Sequence, residues 1–255
     1  IQSEDELGHL AQSFNQMADD LEKTTTSIDN LNREIIERKK AEEEIQRTSQ
    51  TQTVLNKLLS LSLENLTLEE MLEQTIYHIS SVPWLALESR GAIFLVEDEP
   101  EVLVMKAKRG LSVSLQTMCS RVPFGRCMCG RAALSCQTQF ADHIDECHDN
   151  RYEGIFAHGH YCVPIVSAGK TLGVINTYVK EGSTYSKKEE DFLHSVSSVL
   201  AGIIERKKAE KALKESEEKL KAVLDNVGIG ISLISPQMEI LSLNNQMRIW
   251  FPNIE

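Results

Sequence analysis

Eight residues, Ile-Ile-Glu-Arg-Lys-Lys-Ala-Glu, occur twice without a change, at 35–42 and again at 203–210, 168 residues apart. An identity of that length inside one chain marks a repeated structural unit. Each copy continues an apolar stripe of helical spacing. Ahead of the first, Leu7, Leu10, Phe14, Met17, Leu21, Ile28, Leu31 and Ile35 recur mostly in alternating steps of three and four. That is the a/d seam of a parallel coiled coil, and it predicts one continuous helix over residues 1–50 paired with a second copy of the chain. Phe192, Val196, Val199 and Ile203 form the corresponding stripe before the second copy. Within the repeats the seam places Arg38 and Glu42, and likewise Arg206 and Glu210, at core positions. A polar core makes a helix pair marginal and easily shifted in register. Two weak helical linkers therefore bracket one module, residues 53–200.

That module opens with two expected helices, Val54–Leu63 and Leu68–Ser80. Thr67 is placed to cap the second, with Glu69 and Glu70 in its first turn. Strand-like runs follow at Gly91–Glu97 and Val102–Ala107, then at Tyr161–Ser167 and Leu172–Lys180, the last two joined by a turn at Ala168-Gly169-Lys170. Ser186 with Glu189 three residues on has the form of a capping box that starts an exit helix.

Between the two strand pairs lies a long segment with unusual chemistry. All six cysteines (119, 127, 129, 136, 147 and 162) and four of seven histidines (143, 148, 158 and 160) fall within residues 119–162. Cysteine packs as a small hydrophobe when buried, and Cys136, after Ala132-Ala133-Leu134 on a short helix, is expected in the core. The others suit ligation. Cys127 and Cys129 stand at a helix start, where backbone N–H groups favour thiolate. His158, His160 and Cys162 occupy alternate positions of an extended strand and so share one face, with Gly159 sparing bulk between the imidazoles. These five form the candidate metal set, and mixed Cys/His donors suit zinc or iron, including heme iron. The spacing is not that of a zinc ribbon.

A net charge of −11 excludes general phosphate-backbone binding. No apolar run reaches the length of a membrane span, and six cysteines without a secretory signal fit a reducing compartment. The chain opens at Ile1-Gln2-Ser3 and stops at Phe251-Pro252-Asn253-Ile254-Glu255, so a longer parent protein is expected.

Several stretches resemble known families. Asp5-Glu6-Leu7-Gly8 followed by Phe14-Asn15-Gln16-Met17 resembles the second helix of a HAMP domain, which implies a place just inside a membrane, below a transmembrane helix that lies outside this chain. The two E-R-K-K-A-E linkers resemble the signalling helices of bacterial histidine kinases and diguanylate cyclases. Helix, hairpin, long loop, hairpin and exit helix, with V-P-I-x-x-x-G-K-x-L-G-V-I at 163–175, resembles a GAF domain, whose ligands sit between sheet and loop. Residues 220–247, with Asn244 and Asn245, resemble the opening of a PAS domain, here truncated. The implied fold class is α+β: an antiparallel GAF sheet flanked by helices, set between long parallel coiled-coil signalling helices. The domain order is HAMP helix 1–24, linker 25–52, GAF 53–200, linker 201–219 and the start of a PAS domain at 220–255.

Two further resemblances imply other chemistry. Val122-Pro123-Phe124-Gly125-Arg126-Cys127-Met128-Cys129-Gly130 resembles a stretch of GAF-type free methionine sulfoxide reductases, two of whose cysteines would fall on Cys129 and Cys119, while the third would fall near Glu153. Cys147-His148, sixteen residues before Val163, resembles the dyad through which phytochrome-like GAF domains hold a bilin. No phosphoacceptor box, nucleotide-binding glycine box or cyclase signature occurs, and His194 has none of those contexts. The expectation is a cytoplasmic sensory and relay segment of an inner-membrane two-component sensor, dimeric through its coiled coils and acting on a kinase domain of the same chain.

Overall fold

The computed structural model describes residues 6–85, 87–146, 148–150 and 155–252, and the chain divides at Asn56/Lys57 into two units. The described residues of the first unit are helical throughout. Helix α1, Glu6–Leu61, is unbroken across the junction where a second helix was expected to begin. The residues at 50–53 include no glycine or proline to end it, and the Thr53 hydroxyl donates back to the Ser49 carbonyl at 2.8 Å. Leu10, Phe14, Met17, Leu21, Ile28, Leu31 and Ile35 are all exposed along it.

The second unit begins with the last turns of α1, where Leu58 and Leu61 are buried. Helix α2, Leu68–Ser80, starts at a complete capping box: Glu70 N–H donates to the Thr67 hydroxyl at 3.2 Å, and the Glu70 carboxylate accepts from Thr67 N–H at 2.8 Å. A six-stranded antiparallel sheet follows, in the order β3-β2-β1-β6-β5-β4. Its strands are β1 Leu87–Val96, β2 Val102–Arg109, β3 Arg121–Pro123, β4 Gln139–Ala141, β5 His158–Ser167 and β6 Lys170–Lys180. The β5–β6 turn needs two left-handed residues, Ala168 at φ 46° and Gly169 at φ 75°. Two short helices, α3 Val113–Met118 and α4 Cys127–Ser135, lie in the segment between the hairpins.

Strand register assigns the two faces. Cys162 pairs with Asn176, which pairs with Ala92, and Pro164 pairs with Val174, which pairs with Phe94. This face packs α4, through Met128, Cys129, Ala132 and Ala133. The odd-numbered residues of β5, Tyr161, Val163 and Ile165, turn the other way. Tyr161 accepts a hydrogen bond from Ser186 N–H at the cap of α5, Lys187–Asn226. Phe192, Leu193, Val196, Leu200, Ile203 and Ile204 of α5 are buried, and the Ser197 hydroxyl donates to the Pro164 carbonyl at 2.6 Å. Helix α5 then runs unbroken through the second octapeptide and beyond it, where Leu213, Leu220 and Val223 are exposed. In that copy the Arg206 guanidinium donates to the Ser62 carbonyl just past α1, besides pairing with Glu210 at 3.4 Å.

The C-terminal residues form a hairpin, β7 Ser232–Ile234 with β8 Ile240–Leu243, and helix α6, Asn245–Trp250. Asn244, buried at 6% exposure, ties these pieces together. Its carbonyl accepts from Ile231 N–H and Met247 N–H, and its amide donates to the Leu224 and Ile229 carbonyls. Asn244→Ala should leave those groups without partners, at about 1–3 kcal/mol. Hydrogen exchange is expected to accelerate over residues 227–252 and to stay unchanged in the six-stranded sheet. Unaltered protection over 227–252 would show that the hairpin holds without this residue.

Candidate functional site

The cysteine- and histidine-rich segment folds into pieces that converge on one face of the sheet. Cys119 follows α3, Cys127 and Cys129 stand in the first turn of α4, and Cys162 is central in β5. Cys127 N–H donates to the Asp149 carboxylate, so the loop after β4 is held against the start of α4. Cys136 is not in the core. Helix α4 ends at Ser135, and Cys136 takes the left-handed conformation, φ 52°, that terminates it, which brings the residue to the surface with its sulfur 3.3 Å from the Thr171 hydroxyl.

His158 and His160 project from the same face of β5, and a third imidazole, His148, comes to them from the loop. All three are buried. His148 stacks on His160 with ring centroids 4.5 Å apart and 15° between planes, and their Nε2 atoms approach to 2.6 Å. The Asp145 carboxylate lies 2.9 Å from His148 Nδ1, and the Phe156 carbonyl lies 2.6 Å from His158 Nδ1. His160 Nδ1 is buried with no hydrogen-bond partner. Tyr178, opposite His160 on β6, packs its ring against both His158 and His160. Burial, then the neighbouring imidazoles, holds His160 well below the ordinary histidine range, and burial also lowers His158. Both are therefore neutral at pH 7.

The sulfurs form a second cluster one rung further along. Cys129 Sγ lies 3.5 Å from Cys162 Sγ and accepts from the Asn176 amide at 3.1 Å. The Cys162 thiol and that amide lower the pKa of Cys129, whereas burial pushes Cys162 well up. Burial also raises Cys127, and it pushes Cys119 up to about 11 although the Asn150 amide donates to its sulfur at 3.3 Å. Cys119, Cys127, Cys129, His148, His158, His160, Asn176 and Tyr178 line one internal cavity of about 30 Å³. His158 and Tyr178 also line an outer cleft of about 400 Å³ with Arg90, Leu115 and Phe156.

Among the described residues, the three histidines are the group whose donor atoms all lie within 4.8 Å of one another. Of the five expected metal ligands, His158 and His160 belong to it, while Cys127, Cys129 and Cys162 do not. His148 was expected beside Cys147 as a chromophore dyad, and Cys147 lies outside the described residues. Gly159 has a different role from the one its position between two imidazoles implies. A Cβ there would meet the Ala141 carbonyl at 2.3 Å, so glycine admits the backbone leaving β4. Sequence reasoning missed Asp145, Asn150, Asn176 and Tyr178. Only Asp145, three residues before His148, carries a local signal.

The GAF domain model matches residues 65–205, more than half of the chain. The chain belongs to the GAF domain family. The GAF sheet, its flanking helices and their order are shared with solved structures. The GAF domain of a phosphoenolpyruvate-protein phosphotransferase from Coxiella burnetii is similar with a TM-score of 0.55 and 20% identity, over 64% of this chain and 98% of that one. A free methionine-R-sulfoxide reductase from Neisseria meningitidis, solved with its substrate, is similar with a TM-score of 0.52 and 19% identity, over 63% and 91%. At these identities the likeness is one of fold. No curated protein matches the chain. Residues 1–23 match the HAMP domain model, and HAMP joined to GAF is consistent with a segment of a membrane-linked signalling sensor. No described helix is long and apolar enough to cross a membrane.

Proposed function

We propose that this chain is the sensory and relay segment of a two-component receptor, ordered HAMP, linker, GAF, linker and the start of a PAS domain, with a histidine kinase further along the same polypeptide. The GAF domain holds a ligand, metal or redox cofactor behind its Cys/His loop, and the helices pass its state on. One observation carries this reading. Strand β5 presents His158 and His160 to the cavity, and Cys162 to Cys129, on one face and Tyr161, Val163 and Ile165 to α5 on the other, while its Pro164 carbonyl accepts from Ser197 of α5. A ligand that shifts β5 therefore shifts the helix that leaves the domain. The cytoplasmic side of a bacterial inner membrane is the setting such a receptor implies.

The relay is dimeric in this reading. Leu10, Phe14, Met17, Leu21, Ile28, Leu31 and Ile35 on α1, and Leu213, Leu220 and Val223 on α5, are exposed stripes that a parallel second copy would bury. Sedimentation at tens of micromolar should give a dimer, and a monomer there would count against the relay. Arg38→Leu with Glu42→Leu makes the first seam continuous. In the intact receptor it should tighten the dimer and bring the response, about 5–150-fold in coupled systems, close to onefold. A response that survives the change would remove the polar seam as the switch. Arg206→Leu is a poorer probe, because Arg206 also holds the Ser62 carbonyl.

A reductase resembling the free methionine sulfoxide enzymes is the second reading. Cys119 and Cys129 do line one cavity, and Cys129 is the sulfur with the lowered pKa. Turnover of free methionine sulfoxide that disappears in Cys129→Ser would establish it.

A further inference from the structure

We infer that the GAF domain's resident ligand is a single first-row divalent metal ion of the zinc class, held by the imidazoles of His148, His158 and His160. The inference rests on the sensor reading and names the chemistry of its ligand. The three donors come from two separate parts of the chain, a loop turn and alternate residues of β5, and still meet within 4.8 Å.

Two of the rings already have their outer nitrogens engaged. His158 Nδ1 donates to the Phe156 carbonyl, and His148 Nδ1 lies against the Asp145 carboxylate. The carbonyl fixes the His158 tautomer with its proton on Nδ1, the arrangement that outer-shell groups impose on metal-bound histidines, and Asp145 holds the His148 ring in place through both its carboxylate and its backbone N–H, 3.2 Å from Nδ1. The third ring supplies an independent sign. His160 is 4% exposed, its Nδ1 has no partner, and its Nε2 is 2.6 Å from that of His148. Buried polar atoms are almost always satisfied. Three imidazoles gathered in the interior, with ring nitrogens within 4.8 Å of one another, offer lone pairs that a cation can take.

The size of the site selects the ligand class. A cavity of about 30 Å³ admits an ion and about one water; a heme or bilin would require the loop to open. Imidazole nitrogens suit zinc, copper, iron and nickel, and three of them leave a tetrahedral ion one open position. Cys119, Cys127 and Cys129 line the same cavity, and His158 and Tyr178 line both it and the outer cleft. Cys129 and Cys162 are engaged with each other, so the thiols act as neighbours of the ion rather than as its ligands.

The test uses the whole 255-residue chain, stripped with a chelator and titrated with Zn²⁺ against a chromophoric competitor, and separately with Co²⁺. One equivalent of each is expected, with cobalt d–d bands of tetrahedral intensity and no sulfur-to-cobalt charge-transfer band. His160→Ala and His148→Ala should weaken binding by at least ~100-fold and Asp145→Asn by ~10-fold. Asp145→Asn keeps the shape of the loop, so its effect remains readable if an alanine variant unfolds. Cys127→Ser and Cys129→Ser should bind as the parent does. A charge-transfer band, or loss of binding in the serine variants, would overturn the all-histidine set; a folded parent that takes up no metal would overturn the site. Hydrogen exchange along α5 separates this from the sensor reading. Metal bound with no change over residues 187–226 leaves the metal centre standing and removes the relay. Absence of metal leaves the linker and dimer tests above untouched.

Discussion

Gly159→Ala should destabilise the GAF domain by about 3 kcal/mol or more, at the upper end of what overpacking costs. The added methyl would point away from the imidazoles, into the chain leaving β4. There it would meet the Ala141 carbonyl at 2.3 Å and the Asp142 Cα at 2.8 Å. Those are backbone atoms, with no flexible side chain to swing aside. Ala141 is paired with His160, and the Asp142 carbonyl accepts from Gly182 N–H at 2.9 Å. Relief therefore requires β4 to separate from β5, and that releases the loop carrying Asp145 and His148. Urea unfolding followed at Trp84, whose ring packs edge-on against Phe192 of α5, should show a lower midpoint at unchanged slope. Gly202→Ala is the control. Nothing lies within 4 Å of the place its added methyl would take on α5, so the change should be neutral or stabilise by up to about 1 kcal/mol. If both variants unfold at the parental midpoint, the β4 crossing is looser than its distances imply.

What the sequence disclosed follows from how local each interaction is. The Thr67–Glu70 box spans three residues, and Ser186 accepts from Glu189 N–H across three, so both helix starts were legible. The sheet was legible as two hairpins, because apolar alternation and short turns sit within ten or so residues of each other. The alternation of β5 likewise put His158, His160 and Cys162 on one face. It could not say which rung each occupies relative to α4. That register decides that Cys162 meets Cys129 while the imidazoles meet His148. His148 stands 12 residues from His160 across a loop, and no periodicity links them. Cys136 was misplaced for a related reason. The helical pattern Ala132-Ala133-Leu134 continues naturally to it, and nothing in the residue types marks the left-handed turn that ends the helix there. The break expected between residues 50 and 54 failed differently: the residues there are polar, and polar residues without glycine or proline do not end a helix.

Below pH 6.5 the metal-free domain should lose stability steeply. His160 is held well below 6.5 by burial first and then by the charges of His148 and His158, with Asp145 opposing weakly; burial is also the main cause for His158. In the unfolded chain both take up a proton near pH 6.5. The folded chain does not, so the unfolded state binds more protons and stability falls as pH falls. The loss begins at the unfolded pKa and ends at the folded one, with a limiting slope of about 1.4 kcal/mol per pH unit for each group. His78, lowered by burial and then by the Lys57 charge, adds to the loss in the same sense. Burial raises Glu190, but hydrogen bonds from Lys187, Tyr185 and Thr138 outweigh it and hold the carboxyl at about 2, so its contribution disappears only below pH 4.5. His143, raised by Asp142, acts in the opposite sense from a fully exposed position. Chelator-treated protein unfolded with urea at pH 7.5, 6.5, 5.5 and 4.5 should therefore show a downward break between the second and third of these. His158→Leu with His160→Leu should make it shallower and leave the part that His78 contributes, since two of the groups that refuse the proton are gone. A parent profile that is level from 7.5 to 5.5, or one whose full slope survives the double change, would mean that the imidazoles are solvated and that the cavity beneath Tyr178 is open to water.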